Sequence, residues 1–186
     1  GWVTTCTVTL LDRRLNPIGT GQKVFLRTEA GGVPTEVTTT AYNPTGGPSA
    51  NTNEGKATFT FSTVGPLPVD TDPFPALPAA QHFPTARPAE PAFDAGTQVR
   101  NPRDGVVTII AYTQGDEWYS DDSSNNVRDP NEQFFDSPDP FVDSNDDDVP
   151  GPGEEKYPSN LDAGFRGLNN AWDQNTSVWT STKILY

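Results

Sequence analysis

The chain has 186 residues, 33% of them hydrophobic, with 19 prolines, 16 glycines and a net charge of −13. That length suits one domain with a real core, and so many turn-formers argue for little helix. No basic patch exists to neutralise phosphates, which excludes nucleic acid, and no run approaches the roughly 18 apolar residues of a membrane span.

Positions 2–11 place Cys6, Val8 and Leu10 between Thr5, Thr7 and Thr9, the period of a half-buried strand. The chain opens on this strand-like stretch at Gly1, with no signal-peptide pattern before it. A turn through Asn16, Pro17 and Gly19 leads to 23–28, where Val24, Phe25 and Leu26 suit a strand buried on both faces. Residues 36–42 read as a Thr-rich, more exposed strand. The stretch 55–63 alternates again, with Ala57, Phe59 and Phe61 on one side.

From 65 to 104 nine prolines break the pattern, which predicts an extended insertion. Its apolar residues Leu67, Val69, Phe74, Leu77, Phe83 and Phe93 are too many for a solvated linker and are expected to pack along the sheets or on a neighbour. A strong strand follows at 106–113, and 177–186 forms the last, with Trp179, Ile184 and Leu185. The expected fold is an all-β antiparallel sandwich forming one domain over 1–186, with an acidic region at 116–176. Cys6, the single cysteine, reads as a small buried strand residue, since the only histidine, His82, lies in the Pro-rich stretch.

The charge is concentrated. Residues 116–155 hold 14 acidic groups and one basic residue, Arg128, while the rest of the chain is balanced. Such a segment stays disordered or recruits cations. A calcium loop supplies oxygens from positions 1, 3, 5, 7, 9 and 12. Counted from Asp121 these are Asp121, Ser123, Asn125, the Val127 carbonyl, Asp129 and Glu132, with Asn126 where a left-handed turn is needed. Counted from Asp143 they are Asp143, Asn145, Asp147, the Val149 carbonyl and Glu154, with Asp148 at the turn and Gly151 leaving one vertex to water. The spacing ranks the first loop above the second. Asp136 and Asp139, between the loops, are expected to bridge to either ion, and Tyr119, Phe134, Phe135, Phe141 and Tyr157 to pin the loops down. Prolines 130, 138, 140, 150 and 152 exclude the helices of an EF-hand. A weaker third set is Asp162, Asn169, Asn170 and Asp173. Zinc is not expected without Cys or His ligands.

Residues 101–117, ending Gly105-Val106-Val107-Thr108-Ile109-Ile110-Ala111-Tyr112-Thr113-Gln114-Gly115-Asp116-Glu117, resemble the last module of bacterial Ig-like surface proteins of the invasin/intimin type. In those, a final strand runs into Asp/Asn-rich calcium repeats, which 119–132 and 141–154 are similar to. Departures are Asn126 and Asp148 in place of Gly, Ser123 in place of Asn and Gly151 in place of Asp. The resemblance implies an Ig-like sandwich, a cell-surface or extracellular location, calcium in two or more sites, and Asp116 and Glu117 as further ligands.

The combined reading is a structural or adhesive module, part of a surface protein or fibre and not an enzyme, whose strand edges pair with other copies or neighbouring domains. The alternative is a carbohydrate-binding module using Trp2, Trp118, Trp172 and Trp179 as platforms beside structural calcium. A two-carboxylate hydrolase is disfavoured, because the acidic residues are better used as ligands.

Overall fold

A computed structural model describes residues 1–68, 105–159 and 164–186, with positions 73, 76, 85, 86, 88–90, 93, 94, 99, 100 and 103 of the intervening stretch. Expectations for Val69, Phe74, Leu77, Phe83, His82, Asp162 and the Phe93 side chain fall outside the described residues. The chain is mostly β. In order come β1 (Val3–Thr9), β2 (Lys23–Thr28), β3 (Glu36–Thr38), the one-turn helix α1 (Gly47–Ala50), β4 (Lys56–Ser62), β5 (Phe93–Asp94), β6 (Val99–Arg100), β7 (Val106–Gly115) and β8 (Thr176–Leu185).

All strand pairs are antiparallel. β1 pairs with β4, and a four-stranded sheet runs β3-β2-β7-β8. The alternation read in β1 and β4 points Cys6, Val8, Phe59 and Phe61 at Val24, Leu26, Val107 and Ile109 of the larger sheet, forming one apolar cluster. Gly31 allows the close approach here. Its φ is +65°, and a Cβ there would meet the Ser62 carbonyl at 2.5 Å and the Phe61 ring at 2.7 Å.

Three expectations change. The Thr-rich strand is short, because after Thr38 the chain leaves the larger sheet: Thr40 donates to Lys56 O and accepts from Gly55 N, along the β4 edge. Phe25 is half-buried and stacks on Tyr112 at 5.3 Å, so β2 buries one face in the core and shields the other with aromatics. Within the Pro-rich stretch, β5 and β6 pair antiparallel, which no periodicity announced, and Leu67 is exposed.

The other face of the larger sheet decides where the acidic region lies. β7 alternates Val107, Ile109 and Ala111 inward with Thr108, Ile110 and Tyr112 outward, and Thr108 and Ile110 are nonetheless fully buried. Residues 116–159 cover them. Thr108 Oγ1 donates to Asp143 O at 2.9 Å, Tyr112 stacks on Tyr157 at 5.6 Å, and Trp179 of β8 meets Phe141 edge-on at 5.3 Å. The acidic region is a third layer on the sheet. Among the described residues no helix is long and apolar enough to cross a membrane.

Just past β2, Glu29 accepts the Thr108 N–H at 2.5 Å, ending the β2–β7 ladder with a carboxylate. Burial pushes its pKa up to about 7; the Thr108 hydrogen bond opposes this, and the charges of Asp146 and Asp143 add to it. Between the ordinary value of 4.5 and about 7, the folded chain keeps a proton the unfolded chain has released. Stability in calcium-free buffer therefore falls as pH rises across that window. Melting curves of Glu29→Gln should show a flatter pH dependence there; an unchanged profile would refute the assignment.

Candidate metal centre

The two loops are one backbone conformation used twice, 22 residues apart (143 less 121). Their fourth and sixth residues are left-handed in both: φ is +58° at Ser124 and +63° at Asn126, +60° at Asp146 and +62° at Asp148. Asn and Asp tolerate this region better than other non-glycine residues, which explains how the loops turn without Gly. Each loop is clamped at its base by matching bonds. Ser120 N donates to Gln133 O and Phe135 N to Trp118 O; Val142 N donates to Glu155 O and Tyr157 N to Pro140 O.

The side chains repeat as well. Val127 N donates to Asn125 Oδ1, as Val149 N does to Asp147 Oδ1, each at the seventh and fifth positions. Asp129 N donates to Glu132 Oε2, as Gly151 N does to Glu154 Oε2. The repeat extends beyond the loops. Glu117 accepts Ser137 N and Asp139 accepts Ser159 N, again 22 residues apart. Sliding the sequence by 22 residues aligns these pairs, a signal the loop spacing alone left out.

The loops differ in what surrounds the acids. In the first, Asp121 Oδ1 accepts Asn125 N, while Oδ2 faces Arg13 at 2.9 Å and Arg14 at 3.4 Å. Arg13 also lies over the Tyr119 ring at 4.6 Å. Glu132 accepts Ser123 N and Asp129 N, and those N–H groups hold its pKa down. Arginines and backbone amides thus satisfy the first loop.

In the second, one oxygen each from Asp143, Asp147 and Glu154 lie within 4.8 Å of one another, the only such acidic trio among the described residues. Asp143 is 5% exposed, and its Oδ1 accepts no hydrogen bond; neither does Glu154 Oε1. Buried carboxylate oxygens without donors are costly unless a cation meets them. Burial raises the pKa of both groups; Lys183 opposes this at Asp143 and the Gly151 N–H at Glu154. Lys183, from β8, reaches Asp143 Oδ2 at 2.9 Å and Asp146 Oδ1 at 2.7 Å. Burial pulls its own pKa down, and these carboxylates more than restore it, leaving it raised. Three convergent oxygens suit a hard cation, and the acids converge in the loop that spacing ranks second.

The remaining candidates tie chain segments together instead of entering the loops. Asp136 Oδ2 accepts Asn169 N and Asn170 N. Asp139 accepts Ser159 N and Arg166 N. Glu117 accepts Ser137 N and Asp173 N, and Asp116 accepts Asn175 N. Of the aromatics expected to pin the loops, Tyr119 and Phe141 are buried, whereas Phe135 is 43% exposed. Of the four tryptophans, Trp172 donates to Glu117 O and Trp179 to Pro138 O.

No protein-family model, curated protein or solved structure matches this chain. The residues alone carry its reading.

Proposed function

We propose that this chain is a calcium-stabilised structural module of an extracellular protein, built on an Ig-like sandwich. The observation that carries the proposal is the 143–154 loop, where Asp143, Asp147 and Glu154 converge and two of their oxygens lack donors. An all-oxygen set of this kind suits calcium over zinc or copper. The duplicated fold of 121–132 supports a shared ancestry for the loops, with Arg13 and Arg14 standing in for much of the positive charge in the first.

Calcium here serves architecture. The ligands rest on the sheet through Thr108 and Lys183, so an ion at 143–154 secures the third layer to β7 and β8. A surface module working at millimolar calcium fits this arrangement, as does pairing of the β8 edge with another copy or a neighbouring domain.

Titration calorimetry with calcium, and magnesium as control, tests the reading. Glu154→Gln should cost more affinity than Glu132→Gln, by at least about tenfold, since even outer-shell partners carry about 10–100-fold. Equal losses, or no calcium heat in the parent protein, would sink it.

A further inference from the structure

β8 is an edge strand of the larger sheet. Tyr186 N donates to Gly105 O, and in an antiparallel ladder that pairing recurs at every second residue. The odd residues of β8 therefore turn their N–H and C=O groups away from β7. Ser177 does so, donating its N–H to Ser159 Oγ at 2.8 Å. Among the described residues nothing bonds the outward main chain of Trp179, Ser181, Lys183 or Leu185, and positions 180–183 are exposed. Proteins commonly blunt such an edge with proline or unpaired charge. This one has no proline, and its one charged residue, Lys183, is held by Asp143 at 2.9 Å and Asp146 at 2.7 Å.

A cavity of about 220 Å³ opens beside the same residues. Phe135, Phe141 and Trp179 line it with Ser181 of the edge, and so do Asp143 and Asp148. Phe135 is exposed. Trp179, Ser181 and Lys183 share the face of β8 that looks onto the acidic layer, where Trp179 donates to Pro138 O and Lys183 to Asp143. A strand added along β8 sets every second side chain on that face, beside the cavity, while its main chain meets the outward groups. Edge and cavity thus ask for two features in one ligand: an extended backbone, and an apolar side chain at alternate positions.

We propose that the β8 edge and this cavity dock an extended segment of another protein, apolar at alternate positions and basic at its ends, as an added strand. The proposal rests on the edge pairing of the proposed function, narrows it to one kind of partner, and needs no bound ion. Charge chooses the occupant. The layer flanking the edge carries thirteen excess negative charges between 116 and 155, and two of its acids line the cavity. These favour a segment carrying Lys or Arg. A second copy fits worse, because antiparallel pairing of β8 with itself sets two such layers side by side on one face. Main-chain bonds along 179–185 supply affinity, and the cavity selects the side chain.

The test is calorimetric titration of the full chain, in calcium buffer at low salt, with a capped heptapeptide that alternates threonine with phenylalanine and valine between terminal lysines. Ser181→Pro should weaken binding by at least about fivefold, since it removes one outward N–H and leaves the ladder of even residues on β7 intact. Phe135→Ala, which shaves the cavity wall, should weaken it by a similar factor. N-methylating alternate peptide residues gives two versions, and one alone should bind, because one edge of an added strand faces β8. Glutamates in place of the lysines should lower the affinity. No heat with the parent peptide overturns the proposal, as do full binding by either protein variant, like behaviour of the two methylated versions, or a glutamate peptide that binds as tightly. Self-association in sedimentation that Ser181→Pro abolishes would give the edge to a second copy and overturn it too. If circular dichroism shows Ser181→Pro unfolded, the methylated pair decides. Calcium heat is read in its own titration, so the docking site and the calcium reading can fail separately.

Discussion

On the proposed calcium reading, chelation should lower the melting temperature by about 3–10 °C and open 116–159 to hydrogen exchange, while β1, β4 and the inner face of β7 stay protected. The size follows from mass action. With a dissociation constant of about 10⁻⁴–10⁻³ M, typical of extracellular modules, about 10 mM calcium stabilises each site by roughly 1.4–2.7 kcal/mol. For a chain of this length each kcal/mol moves the midpoint by about 2–4 °C. The pattern follows from the layers. The core cluster of Phe59, Phe61, Leu26 and Ile109 owes nothing to the acidic region. The third layer buries Asp136, Asp139, Asp143 and Asp146, whose charges need partners. Uniform loss of protection across both sheets would show that the acidic layer is no separate unit of stability.

Phe61→Ala costs about 3–5 kcal/mol, a large share of the roughly 5–15 kcal/mol that keeps a domain folded. Phe61 is 1% exposed and meets Tyr186 edge-on at 6.4 Å. The Gly31 backbone lies against its ring, so the cavity cannot collapse without moving main chain. The Phe61 ring and the acidic loops sit on opposite sides of the four-stranded sheet and share no partner. Their losses should therefore add: urea unfolding of Phe61→Ala should show the same deficit with calcium as with chelator, within about 0.5 kcal/mol. A deficit confined to one condition would mean that the two layers fold as one.

The third layer also explains how thirteen excess negative charges are tolerated between 116 and 155. The fold carries Arg13 and Arg14 to the first loop, Lys183 and Arg103 to the second, and Arg166 to Asp139 between them. These side chains come from outside the acidic window, so a charge balance drawn along the chain counts them elsewhere. The first loop leans on arginine, and the second leaves oxygens bare.

Local pattern determined much of this molecule. Alternation at Cys6, Val8, Phe59 and Phe61 marked the inward faces of β1 and β4, since side-chain period two is a property of any extended chain. The spacing of Asp, Asn and Glu at 121–132 and 143–154 marked two loops of like conformation, because the bonds that shape them span no more than twelve residues. Only the tertiary structure decided which loop gathers bare carboxylates, that Asp136 and Glu117 meet Asn169 and Asp173, and that β7 is covered on both faces. Those outcomes depend on groups far apart in sequence, such as Arg13 with Asp121 and Lys183 with Asp143. A buried charge is stabilised by whatever cation the fold brings within a few ångströms, and sequence spacing carries no record of that distance.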